Sequence, residues 1–245
     1  MSSVGQEVAV PAALHGDDDE RRDSVDCVIR QRFASRAFSK RTVSKQTVEN
    51  ILDVARFTPS GANIQPWRVY VLAGEEKDKV SRALLKAHRE ARDRYQSEYQ
   101  YYSPLLPEPY RSRREQFGRL FYGALGIAQS DHEARAGQTA KNYDFFGAPI
   151  GLIVTIDRRL QIGSWLDLGM FMQNVMIAAG ARGLQTCPQE TFSKYHVLLR
   201  QFLPIADEEM VVCGMSLGFA EPANAASLMP KAQVNEFAKF IGFDA

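Results

Sequence analysis

The run Pro149 to Ile156 (PIGLIVTI) carries apolar side chains at odd and even positions alike. A strand presents alternate side chains to opposite faces, so a run without polar alternation must be covered on both. Soon after it, Trp165 to Ala181 reads as a helix that is apolar almost all round and stopped by Gly180 and Gly183, the pattern of a buried helix. These two segments demand a layered domain. Further strands are expected at Arg68–Ala73, near Leu184–Cys187 and at Met210–Gly218. Helices are expected from Asp26, from Ser44 (with Val48, Ile51, Leu52 and Ala55 on one face, ended by Pro59), over Glu75 to about Tyr95, over about Arg113 to Ala134, and around Ser193–Phe202. Helices interspersed with strands suggest an α/β or α+β layer fold. Residues 1–23 are small, polar and acid-rich and read as a mobile extension, with one domain over 24–245 that carries a helical insertion at 86–119.

Charge narrows the possible partners. Thirty basic and 29 acidic side chains leave a net charge of +1, so no global field draws the chain to nucleic acid or anionic membrane. The longest uncharged apolar-rich run, Leu168 to Ala181, has 14 residues and includes Gln173 and Asn174, short of the roughly 20 that span a bilayer. No signal-peptide pattern precedes Asp17, and Cys27, Cys187 and Cys213 are far apart and without metal-ligand spacing. A cytoplasmic protein with buried thiols, bound to neither membrane nor nucleic acid, is the expectation.

Several catalytic motifs fail on context. Gly214-Met215-Ser216-Leu217-Gly218 matches G-x-S-x-G, but a strand exit follows the serine and every histidine precedes it. The four histidines share no metal spacing, so no metal is expected. Residues 86–119 mix eight Lys/Arg, five acids and five tyrosines, which fits a solvated face or a lid over a small-molecule pocket better than a base-stacking surface. Two segments remain chemically loaded. Arg30 to Phe38 gathers cations at a helix end, and Pro59 to Trp67 packs amides and a hydroxyl into a proline-stiffened loop. Together they suit a planar polar ring and a phosphate. An arginine-studded helix face beside a plain turn explains the same residues, and spacing does not separate the two.

Five co-linear motifs bear on that choice: R-x-x-S-R-A-F at Arg32–Phe38, P-S-G-A-N-x-Q-P-W at Pro59–Trp67, G-L-Q-T-C-P-Q-E at Gly183–Glu190, S-L-G-F-A-E-P at Ser216–Pro222, and Lys231. In order and interval they resemble the FMN-dependent nitroreductase family, over about residues 25–240. The resemblance implies an α+β, three-layer fold with a central mixed, mainly antiparallel sheet flanked by helices, and an intertwined homodimer with FMN at the interface.

Carried over by position, Arg32 and Lys231 resemble the family's phosphate-holding cations, and Arg36 the cation at the pyrimidine edge of the flavin. Ser60, Gly61 and Asn63 match the loop lent by the partner chain, and Pro59 and Gln65 of the same motif are further cofactor-binding candidates. Pro188, Gln189 and Glu190 match the turn whose backbone N–H faces flavin N5. Phe33 and Ala34 fall in the cofactor motif but replace a common polar residue and a common serine, and Gln233 replaces a residue that is frequently proline or basic. Reduction of FMN places negative charge near N1, and a cation about 4 Å away at an effective dielectric of 20 favours it by roughly 4 kcal/mol before solvation losses. The resemblance implies NAD(P)H as donor, a nitroaromatic or quinone acceptor, ping-pong two-electron transfer, and flavin rather than a side chain as the catalytic group. Tyr101, Tyr102, Phe117 and Phe121 are the candidate substrate wall. A reductive dehalogenase or flavin-fragmenting enzyme of the same fold, and a non-catalytic FMN-binding dimer, remain open alternatives.

Overall fold

The structure, a computed structural model, describes residues 18–222, 227 and 229–243. Residues 1–17 of the expected extension lie outside these, and Asp18–Asp23 form the opening turns of α1 (Asp18–Gln31). Four strands follow: β1 (Trp67–Ala73), β2 (Ile150–Asp157), β3 (Gln185–Gln189) and β4 (Glu209–Gly218), in the order β1-β2-β4-β3. Every pairing between them is antiparallel, and among the described residues the parallel element is one isolated bridge, Ala34 to Thr186.

β2 lies between β1 and β4 and is buried up to its last residue, as its unbroken apolar run requires. Its side chains divide by parity. Ile150, Leu152, Val154 and Ile156 join a core with Val48, Ile51 and Ala55 of α2 (Lys45–Ala55) and Leu168, Phe171 and Val175 of α6 (Ile162–Gly180). Ile153 faces the other way, into a core with Val80 and Leu84 of α3 (Gly74–Ala91), Phe145, Phe192 and Tyr195. The result is helix, sheet, helix. Ser44 caps α2 as expected, its Oγ accepting from Thr47 N at 3.1 Å.

The expected helix over Arg113–Ala134 is two helices, α4 (Tyr110–Ala124) and α5 (His132–Ala140). Leu125 N bonds back to Tyr122 O, Gly126 takes φ +68°, and Asp131 restarts the chain by accepting from Ala134 N at 2.9 Å. After α5 a 3-10 turn over Lys141–Gly147 puts Phe145 and Phe146 at φ 50° and 52°, where non-glycine backbone is costly. Both rings are buried. The close approach of Phe145 requires a glycine: a Cβ on Gly151 would lie 2.5 Å from its ring. A short helix, α7 (His196–Leu199), precedes β4, and α8 (Val234–Phe237) follows it. Cys187 and Cys213 are buried, whereas Cys27 is exposed, because it lies on the solvent side of α1.

Two histidines approach polar groups of other segments. His88 Nδ1 is 3.1 Å from Tyr195 Oη, and His196 Nδ1 is 3.2 Å from Glu98 Oε2. Burial, the largest influence on each, pushes both below the usual value near 6.5. The unfolded chain therefore takes up protons first as pH falls through about 6.5, so that fold stability is full above this value and declines below it. The unfolding temperature should fall between pH 7.5 and 5.5, and less steeply in a His88→Gln/His196→Gln variant. A profile equally steep in both proteins would exclude these groups.

Candidate functional site

The cationic segment docks along the edge of β3. Phe33 N donates to Gln185 Oε1 at 3.3 Å, Ser35 N donates to Thr186 O at 2.9 Å, and Ala34 forms the parallel bridge to Thr186. Phe33 and Ala34 thus act here through their backbone. Arg32 and Arg36 flank this docked stretch, both half-buried. Arg36 Nη1 donates to Ala34 O at 3.4 Å, and its guanidinium sits 5.1 Å from the Phe117 ring centre and 5.0 Å from that of Phe121. The two rings stack at 5.5 Å. Phe121 is buried, so in this structure its ring packs against Phe117 and Arg36 and does not form an open wall. Burial pushes the Cys187 thiol up to about 11, and the charge of Arg36 opposes that rise, which puts the guanidinium within electrostatic reach of β3. The Thr186 hydroxyl is buried without a hydrogen-bond partner among the described residues.

At the other end of β3 the chain turns at Pro188-Gln189-Glu190. The Gln189 side chain is buried and fully used: Nε2 donates to Asn142 O at 2.7 Å, and Oε1 accepts from Ser216 Oγ at 2.6 Å. Ser216 is therefore spent on positioning this turn. Glu190 accepts from Ser193 Oγ at 3.3 Å, and burial holds its carboxyl above the ordinary range. The Tyr101 hydroxyl is also pushed up, by burial first and then by Tyr102 and Glu190, and Tyr99 Oη of the same insertion donates to Val212 O of β4 at 2.5 Å. Tyr101 and Tyr102 meet edge-on at 4.6 Å and stay exposed.

The loop Pro59–Pro66 is anchored at its ends and strained in its middle. Ala62, Asn63 and Gln65 have φ of 49°, 57° and 51°, each costing on the order of 1–3 kcal/mol for a non-glycine residue. Gln65 N donates to Ser60 Oγ at 3.0 Å, and Gly61 N donates to Asp167 Oδ2 on α6 at 3.1 Å. Residues 61–65 are exposed. Sequence reasoning missed Asp167, although it is the sole charge on an otherwise uncharged helix, which was the available signal.

Lys231 is exposed and makes no ion pair among the described residues. Gln233 forms a capping box with Glu236 at the start of α8, and Glu236 pairs with Arg113 at 3.1 Å. One chain thus brings Arg36, Phe117, Phe121, the Gln189–Glu190 turn and Tyr101 around β3. It does not bring Lys231 or the loop 60–65 into hydrogen bonds, ion pairs or ring contacts with them among the described residues. A cation beside one end of a strand and a fixed turn at its other end can align a planar anion-forming ring, with backbone groups near one edge and positive charge near another.

The Nitroreductase family model matches residues 29–219. A 4-nitrobenzoate reductase of Pseudomonas putida is 43% identical over 224 residues, which cover 91% of this chain and 97% of that protein. A chloronitrobenzene nitroreductase of Comamonas testosteroni is 42% identical, over 89% of this chain and 96% of its own. The crystal structure of the FMN- and NADPH-dependent nitroreductase NfnB from Sphigopyxis sp. strain HMH superposes with a TM-score of 0.86 at 32% identity, covering 89% of this chain and 99% of that one. Matched by the family model over residues 29–219 and 43% identical to a relative over nearly the whole chain, this protein belongs to the nitroreductase family.

Proposed function

We propose that two copies of this chain hold FMN in their interface and use NADPH to reduce nitroaromatic compounds, in the cytoplasm. The observation that carries this reading is the placement of Arg36 beside β3, within electrostatic reach of Cys187, with the Gln189–Glu190 turn fixed at the strand's far end. The residues suit FMN: a guanidinium presents a planar fork of donors that matches planar anionic groups, and the orphaned Thr186 hydroxyl lies beside the cationic segment. When bound, FMN supplies hydride and two-electron chemistry. Arg32 and Lys231 hold its phosphate, Arg36 faces its pyrimidine edge, and Glu190 offers backbone N–H to its reactive edge. Pro59, Ser60, Gly61, Asn63 and Gln65 approach from the second chain, which gives the strained, exposed loop a purpose. The insertion 86–119 covers the acceptor, with Tyr101 and Tyr102 as its aromatic wall.

Similarity to a 4-nitrobenzoate reductase and a chloronitrobenzene nitroreductase supports the nitroaromatic acceptor, and similarity to an NADPH-dependent nitroreductase and to one solved in complex with NADPH supports the donor. A nitro group takes two electrons and two protons, loses water and becomes nitroso. A second round gives the hydroxylamine. Among the described residues no helix is long and apolar enough to cross a membrane. Purified protein should be yellow, bleach with NADPH under anaerobic conditions, and regain colour when 4-nitrobenzoate or nitrobenzene is added. Bound FMN that NADPH leaves oxidised would refute the reading as an enzyme.

A further inference from the structure

Helix α4 has two differently used faces. On one, Phe117 and Phe121 meet Arg36. On the neighbouring face, Glu115, Arg119 and Tyr122 line a cavity of about 720 Å³ that the loop at Leu106 and Arg135 of α5 help to enclose. The cavity has an apolar wall, formed by Leu106, Tyr122 and Ile127, and a cationic rim. The rim arginines differ in what already holds them. Arg111 is paired with Glu108 at 2.7 Å. Arg135 lies 3.9 Å over the Tyr122 ring and Arg114 lies 5.3 Å over that of Tyr102, which fixes both guanidiniums without neutralising them. Among the described residues Arg114, Arg119 and Arg135 make no ion pair, and against the carboxylate of Glu115 they leave a surplus of two positive charges, the complement of a phosphate dianion.

We propose that this cavity binds the adenosine 2′-phosphate end of the nicotinamide donor and so selects NADPH over NADH. The inference rests on the reading above that a nicotinamide dinucleotide is the donor. Arg114, Arg119 and Arg135 clasp the 2′-phosphate through planar, charge-assisted forks, and the adenine lies against Tyr122 and its apolar neighbours. The cavity opens on the same helix that packs on Arg36, so one element serves both ends of the donor. A nitroarenecarboxylate, with one ring and one charge, matches neither the volume nor the surplus charge.

Calorimetric titration of the FMN-loaded protein reads the site without turnover. Adenosine 2′,5′-bisphosphate should bind at least about tenfold more tightly than adenosine 5′-monophosphate, and Arg119→Ala/Arg135→Ala should erase that difference, since each removes charge-assisted phosphate contacts. In the same variant KM for NADPH should rise at least about tenfold, while KM for NADH and both kcat values stay within about twofold, because the chemistry is untouched. Should the double variant misfold, the exposed Arg119→Ala alone gives the same test. Equal affinity for the two nucleotides, or a variant that keeps the NADPH preference, overturns the proposal, as does competition by 4-nitrobenzoate for the bisphosphate site that the variant abolishes. Tight bisphosphate binding by a protein that neither nicotinamide bleaches would refute the enzymatic reading and leave the cavity assignment standing.

Discussion

Replacing Arg32 and Lys231 together by alanine should strip FMN from the protein. Each side chain is proposed to make a charge-assisted contact to the flavin phosphate, and a hydrogen bond to a charged group contributes about 1.5–3 kcal/mol. Losing both should weaken FMN binding by roughly 100-fold to 10,000-fold. Ala34 has no hydroxyl to offer and is engaged through its backbone with Thr186, and Gln233 is committed to its capping box with Glu236. In the proposed site the phosphate grip would therefore rest on the two cations. Neither makes an ion pair among the described residues, and Arg32 is half-buried at the edge of β3 while Lys231 is exposed. A colourless variant with an unchanged unfolding temperature after FMN removal from both proteins is the expected result. Fluorimetric FMN affinity equal to that of the parent protein would refute the phosphate assignment.

Leu166→Glu should give a folded monomer that does not retain flavin. α6 is apolar nearly all round, yet Ile162, Leu166 and Met170, which follow one another at i, i+4 and i+8, are 80%, 69% and 42% exposed in the single chain. Phe57 and Ile64, beside the strained loop, are exposed as well, at 73% and 53%. Fully burying one such side chain is worth about 1.5–3 kcal/mol, so a second copy covering the stripe gains a large apolar contribution. A glutamate at its centre removes one share and adds the cost of burying an unpaired carboxylate. Because Leu166 lies outside the core of the single chain, far-UV circular dichroism should stay unchanged while sedimentation shows half the mass. The flavin should leave with the partner, since the loop carrying Ser60, Gly61 and Asn63 would no longer reach it. A Leu166→Glu monomer that keeps FMN would show that one chain suffices.

The layers and most of the site's parts were legible because they are encoded locally. The apolar run of β2, the heptad-like spacing of Val48, Ile51 and Ala55 on α2, and the co-linear motifs each carry their meaning within a few residues. What escaped is encoded across distance. The turn Lys141–Gly147 seats the Phe145 ring in a space that Gly151 leaves on a strand, and Asp167 acquires its role only when α6 passes Gly61. The break at 125–131 was marked locally by Gly126 and Asp131, but an amphipathic pattern on both sides concealed it. Phe121 was ambiguous in sequence, since an aromatic at helical spacing suits core and ligand wall alike. In the single chain it is buried against Arg36 and Phe117.

Native mass spectrometry of the purified protein reads the shared-site proposal at once, because chain number and flavin number appear in one mass. The expected species is a dimer that carries two FMN and releases them when it dissociates. A monomer with a stable FMN, or a dimer unable to take up any, would contradict it.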